Sequence, residues 1–298
     1  MNIHTVTGQN TNDAITEAIQ AELVRIDRKE YIEVVPNVKL HVRDWGTGKP
    51  IVFIHGWPFS NEIFEYQFAT LPQQGFRCIA ITLRGFGKSD QPYSNYTYDL
   101  LANDIHKVLS ILEIENALLV GYSIMGAAVA TRYMTFHLQA RVNKLMLISA
   151  PAPGIIKREN YPTGITVTDV DNMVSLCIKD RTQLIMNFCK QIFTSESKIS
   201  LSFINWLNML GMQASSYATL QALLLMQDTG FQNNFSLITV PTAILHSTND
   251  KICSLEIAKY LNSEIKNSQL TLFENCGHAL LLEERKKCNK ILIESAIR

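Results

Sequence analysis

The chain carries no excess of charge, since 27 Lys and Arg are matched by 27 Asp and Glu. Without a basic field nothing draws it to nucleic acid or anionic lipid, and it has no nucleic-acid motif, so neither is expected as a partner. Met1-Asn2-Ile3-His4-Thr5 is polar and no apolar run follows, so no signal peptide is expected. The six cysteines (Cys78, Cys177, Cys189, Cys253, Cys276 and Cys288) form no CxxC pair. They are expected as reduced thiols of a cytoplasmic protein. The seven histidines show neither HExxH nor HxH spacing, so no metal is expected. Gly85-Phe86-Gly87 lacks the third glycine and the acidic partner of a dinucleotide fingerprint, so it reads as a turn and no cofactor is expected. The longest uncharged stretch, 199–227, is broken by Ser200, Ser202, Asn205, Asn208, Gln213, Ser215, Ser216 and Gln221. It reads as a buried or cleft-lining helix and not as a membrane span.

What is present belongs to a globular chain: 298 residues, 47% hydrophobic and 18% charged. A chain of this length buries about 75% of its extended surface. Asn12 is the expected cap of an expected helix whose Ile15, Ile19, Leu23 and Ile26 would share a stripe, so residues 1–29 read as an N-terminal helical extension. Residues 31–35 and 40–45 alternate like hairpin strands joined through Pro36-Asn37. Short apolar runs at 51–54, 78–81, 117–120, 145–148, 242–245 and 270–273 have the form of buried strands. Helical patterns at 98–112, 124–136 and 255–261 lie between them. This alternation predicts an α/β fold, a doubly wound, mostly parallel sheet with helices on both faces. From 151 to about 238 only helix-like segments occur, notably 180–193 and 199–226, too long a stretch for a loop. The domain reading is therefore a core of 30–152 and 239–298 carrying a helical cap at 153–238.

The chemistry centres on Ala117-Leu118-Leu119-Val120-Gly121-Tyr122-Ser123-Ile124-Met125-Gly126. An apolar strand runs into a serine and then into a small-residue helix. Two readings fit this segment alone: a nucleophile elbow, or an ordinary turn in which Ser123 caps the helix. Asp250 follows the strand at 242–245, and Gly277-His278 follows the last one. The order Ser, Asp, His, each after a strand's carboxyl end, favours the elbow. His55-Gly56-Trp57-Pro58 follows the strand at 51–54, where a turn is expected to aim the Trp57 backbone N–H at Ser123. With the Ile124 N–H it makes an expected oxyanion hole, in which one donor is worth about 10²–10³ in turnover.

With these residues in hand the chain resembles the α/β-hydrolases, and within them the cofactor-free (non-haem) haloperoxidase, perhydrolase and aryl esterase group. The likeness runs from about residue 31 to 298. It also rests on Leu83-Arg84-Gly85-Phe86-Gly87-Lys88-Ser89, on Asp180-Arg181-Thr182-Gln183, on Tyr217 and on the run 231–241. The resemblance implies Ser123 as nucleophile, His278 as base, Asp250 as its orienter, and Trp57 and Ile124 as oxyanion donors. Three positions depart from that group. Met125 stands where a small residue is usual, Thr82 where an Asp commonly precedes the Arg-Gly-x-Gly segment, and residues 1–29 have no counterpart.

The expected reaction is hydrolysis of a small, largely apolar carboxylic ester through an acyl-enzyme, with peracid formation as a side activity when peroxide replaces water. Trp57, Tyr122 and Trp206 are the expected substrate-binding side chains. Met209, Met212 and the leucines around 223–225 are expected to supply apolar surface near the cleft. Lactone or carbon–carbon bond hydrolysis on the same triad, and a signalling receptor that keeps the triad, remain alternatives. The oligomeric state, a homo-oligomer included, is left open.

Overall fold

The computed structural model describes residues 28–151, 156–157, 164–197, 199–227 and 235–297. Its contacts divide the chain into Met1–Glu30 and Tyr31–Arg298. The helix expected over 12–26 lies outside the described residues; the sheet and its helices belong to the second unit.

Eight strands form one sheet: β1 (Tyr31–Val35), β2 (Val38–Trp45), β3 (Lys49–Ile54), β4 (Phe76–Ile81), β5 (Ala117–Tyr122), β6 (Val142–Ile148), β7 (Thr242–Ser247) and β8 (Ser268–Phe273). Their order is β1-β2-β4-β3-β5-β6-β7-β8. The hairpin β1–β2 is antiparallel and turns at Asn37, which takes a left-handed φ of 64°. β2 joins β4 antiparallel, and every pairing from β4 through β8 is parallel. The doubly wound arrangement read from the sequence is therefore present. Its apolar runs become strands because both of their faces are covered: Ile51, Val52, Phe53 and Ile54 are wholly buried, and so are Leu119 and Val120.

The helices are α1 (Glu65–Phe68), α2 (Tyr98–Ile111), α3 (Ser123–Phe136), α4 (Val167–Gln191), α5 (Leu201–Met212), α6 (Ser216–Met226), α7 (Leu255–Glu264), α8 (Leu280–Glu283) and α9 (Arg285–Ile297). Among the described residues no helix is long and apolar enough to cross a membrane.

Two helical segments differ from the sequence reading. The helix expected over 180–193 begins at Val167, where Thr166 and Asp169 form a capping box, and bends at Asp180 (φ −154°, ψ 79°). The Asp180 carboxylate accepts the Gln183 N–H at 2.9 Å, so the motif seen in the sequence caps the second half of a kinked helix. The stretch expected as one helix over 199–226 is two. Ser215 ends the first by capping α6, accepting the Ala218 N–H at 2.9 Å while its own N–H donates to Gly85 O.

Because β3, β5, β7 and β8 are parallel, the residues that follow them emerge on one edge of the sheet. The chain passes from β3 to β4 on one side and later returns to β5 on the other. That reversal opens a crevice at the carboxyl ends of β3 and β5, the position where open α/β sheets take their ligands.

Candidate active site

Ser123 stands at the join of β5 and α3 with φ +61°, the left-handed region that a non-glycine residue seldom occupies. The backbone turns sharply there because strand and helix are nearly touching. A Cβ on Gly121 would lie 2.6 Å from Gly126 O, and one on Gly126 would lie 2.3 Å from Ile54 O. The close approach to β3 thus falls on Gly126, so the bulk of the buried Met125 one residue earlier leaves the strained turn intact.

His278 and Asp250 meet Ser123 from the loops after β8 and β7. The Ser123 hydroxyl donates to His278 Nε2 at 2.6 Å, and His278 Nδ1–H donates to Asp250 Oδ2 at 2.8 Å. The other carboxylate oxygen, Oδ1, accepts the N–H groups of Ile252 (2.8 Å) and Cys253 (2.9 Å). Burial alone would raise the Asp250 pKa, but the His278 imidazole beside it, its hydrogen bond and His246 hold it below the usual carboxylate value. The His278 loop is anchored in turn: Ser149 donates to His278 O at 2.7 Å, Glu283 accepts the Gly277 N–H at 2.7 Å, and Ala279 N donates to Ile192 O.

The loop after β3 presses on the serine. A Cβ on Gly56 would sit 2.5 Å from Ser123 Cβ, so only glycine lets this backbone pass. His55 is fully buried; its Nε2 accepts the Leu83 N–H and its Nδ1–H donates to Gly56 O, each at 3.0 Å. Burial lowers its pKa to about 4, so the ring stays neutral in this role. Thr82 belongs to the same support, since its Oγ1 accepts the Asn61 N–H and its carbonyl accepts the Ser89 hydroxyl. Trp57 directly follows Gly56, and Ile124 is the second residue of α3, in the first turn whose N–H groups have no intrahelical acceptor.

The expected binding side chains sort differently. Trp57 is buried over the site, its ring edge-on to Phe188 at 5.1 Å and its Nε1–H donating to Thr219 O. Tyr122 is buried too, its ring 5.8 Å from that of His278. Burial and the nearby Asp250 push its phenol well above the ordinary pKa. Trp206 is not drawn to the serine by any described ring contact; it packs on Phe203, which packs on Tyr66 and Phe193. A second aromatic beside His278 is Phe188 on α4, at 6.4 Å, touching Trp57 and Phe59 as well. An apolar residue at helical spacing reads as core, so nothing in the pattern singled out Phe188 from its neighbours. All six cysteines are buried. Burial and Asp250 push the Cys253 thiol well above its ordinary value, and burial pushes Cys276 up to about 12, so neither is a thiolate at neutral pH.

Against known proteins, the model of the alpha/beta hydrolase fold matches residues 49–285. The AB hydrolase superfamily protein YisY of Bacillus subtilis is 42% identical over 264 residues, 89% of this chain and 97% of that protein. An esterase from Exiguobacterium antarcticum aligns with TM-score 0.87 and 35% identity over 91% of this chain and all of that one. A bromoperoxidase from Bacillus anthracis aligns with TM-score 0.85 and 31% identity, covering 90% of this chain and 99% of that one. A parallel sheet whose strand ends gather serine, histidine and aspartate, matched over most of its length by these relatives, belongs to the α/β-hydrolase family.

Proposed function

We propose that the chain is a serine hydrolase of small, largely apolar carboxylic esters. The observation that carries this reading is the continuous relay from Ser123 Oγ through His278 to Asp250, whose carboxylate, an acceptor only, calls for the proton on His278 Nδ1 and leaves Nε2 to take the serine proton. His278 takes the serine proton as Oγ attacks the ester carbonyl, and Asp250 stabilises the imidazolium. The Trp57 and Ile124 N–H groups receive the oxyanion, the alcohol leaves with the proton from His278, and water releases the acid by the same route. Trp57, Phe59, Phe188 and Tyr122 surround the site with aromatic surface, which suits an uncharged acyl group. The likeness to an esterase and to a bromoperoxidase supports peracid formation as a side activity, in which hydrogen peroxide replaces water at the acyl-enzyme.

Steady-state hydrolysis of p-nitrophenyl acetate and butyrate by the wild type and by Ser123→Ala tests the reading. Turnover is expected to fall by up to about 10⁶-fold in the variant, to a small residual. Equal turnover by the two proteins, or none by the wild type, would remove it.

A further inference from the structure

Behind the relay lies a second histidine that the mechanism above does not use. His246 occupies the carboxyl end of β7, between Leu245 and Ser247, where every side chain is wholly buried. An apolar residue is the ordinary occupant of such a place, because an imidazole out of water costs free energy unless its N–H is bonded. Its Nε2 lies 3.0 Å from the Cys253 carbonyl, an acceptor only, which fixes the proton on Nε2. Nδ1 is then unprotonated and has no hydrogen-bond partner among the described residues.

The same Nε2 stands 3.9 Å from Asp250 Oδ2, the oxygen that receives the His278 proton donor. Asp250 Oδ2 therefore has both imidazoles within 4 Å. The link also runs through the backbone, since the peptide N–H of Cys253 holds Asp250 Oδ1 while its carbonyl is held by His246. If the carbonyl loses its donor, the turn that fixes the carboxylate loses its far anchor. The charged or titratable groups that act on His246 are Asp250, His278 and Glu256; burial, with His278 on its side, outweighs Asp250 and Glu256 and holds the pKa below the ordinary value.

We propose that His246 is a positioning residue for the reaction: its Nε2–H fixes the Cys253 peptide, and through it the Asp250 carboxylate that orients His278. This rests on the ester-hydrolase reading for its kinetic consequence but not for its structural one. The test compares His246→Leu, His246→Gln and His246→Asn in the full chain. The Gln amide reaches the position of Nε2, and the shorter Asn amide stops near that of Nδ1. The first readout needs no substrate: the far-downfield proton resonance of the hydrogen bond from His278 Nδ1 to Asp250. It is expected to be shifted or lost in the Leu and Asn variants and retained in the Gln variant. The second readout is p-nitrophenyl acetate hydrolysis. The Leu and Asn variants should lose about 10- to 100-fold in kcat with KM within about twofold, the scale set by a small misplacement of a catalytic group. The Gln variant should recover most of that loss. If Leu does not fold, the comparison of Gln with Asn decides. A wild-type resonance in the Leu or Asn variant, or a Gln variant as impaired as Asn, would overturn the proposal. A wild type that shows the resonance but no turnover removes the ester-hydrolase reading alone and leaves the resonance comparison to judge His246.

Discussion

His55 shows how much a single buried side chain can ask of its surroundings. It stays neutral because burial holds its pKa near 4, against 6.5 in the unfolded chain. Between those values the unfolded chain binds a proton that the folded one does not, so stability must fall as pH drops from about 6.5 to 4. The His55 contribution to that fall is about 3 kcal/mol, because each pH unit between the two values is worth about 1.36 kcal/mol. Urea unfolding of the wild type and of His55→Asn across this window should show a shallower dependence on pH in the variant. An unchanged slope would mean that His55 is not the neutral acceptor for Leu83 N–H. Asp250 acts in the opposite range: its lowered pKa adds stability above the ordinary carboxylate value, and this is lost as pH falls further.

Among the elements, α4 is the one that sets an aromatic ring against both Trp57 and His278. Its kink at Asp180 starts a second helical segment, and Phe188 on that segment lies against Trp57, Phe59 and His278. Phe188→Ala should open the space beside the acyl carbon. We expect kcat/KM for p-nitrophenyl octanoate to rise relative to acetate by about tenfold or more, the scale on which a pocket discriminates by size. The same change should cost about 3–5 kcal/mol of stability, as other buried Phe→Ala changes do. An unchanged chain-length ratio would show that another residue limits the acyl group. α5 reaches the site differently, because a Cβ on Gly211 would meet Ile185 and Pro58, so this helix packs closely on the loop after β3.

At the scale of the whole molecule, the sheet was legible because strands covered on both faces appear as apolar runs of fixed form. Ile51–Ile54 and Ala117–Val120 could be mistaken for little else once helical stretches separated them. The relay was legible too, since Ser123, Asp250 and His278 each follow such a run and parallel strands bring their ends together. The region between β6 and β7 was not. Apolar residues there serve the core and the cleft alike, so spacing could not separate Phe188 from Trp206, nor show the break at Ser215. His246 gave no signal because a buried histidine and an apolar strand residue occupy the same place in the pattern. The assembled molecule leaves Ser123 only 1% exposed and His278 wholly buried. An acyl group left on that serine is therefore reached most easily by the smallest acceptors. Water and hydrogen peroxide should divide the intermediate between acid and peracid, methanol should divert some of it to a methyl ester, and octanol should divert almost none. Product ratios from one acyl donor in equal concentrations of these acceptors would check this, and equal diversion by methanol and octanol would show that the cover is open during deacylation.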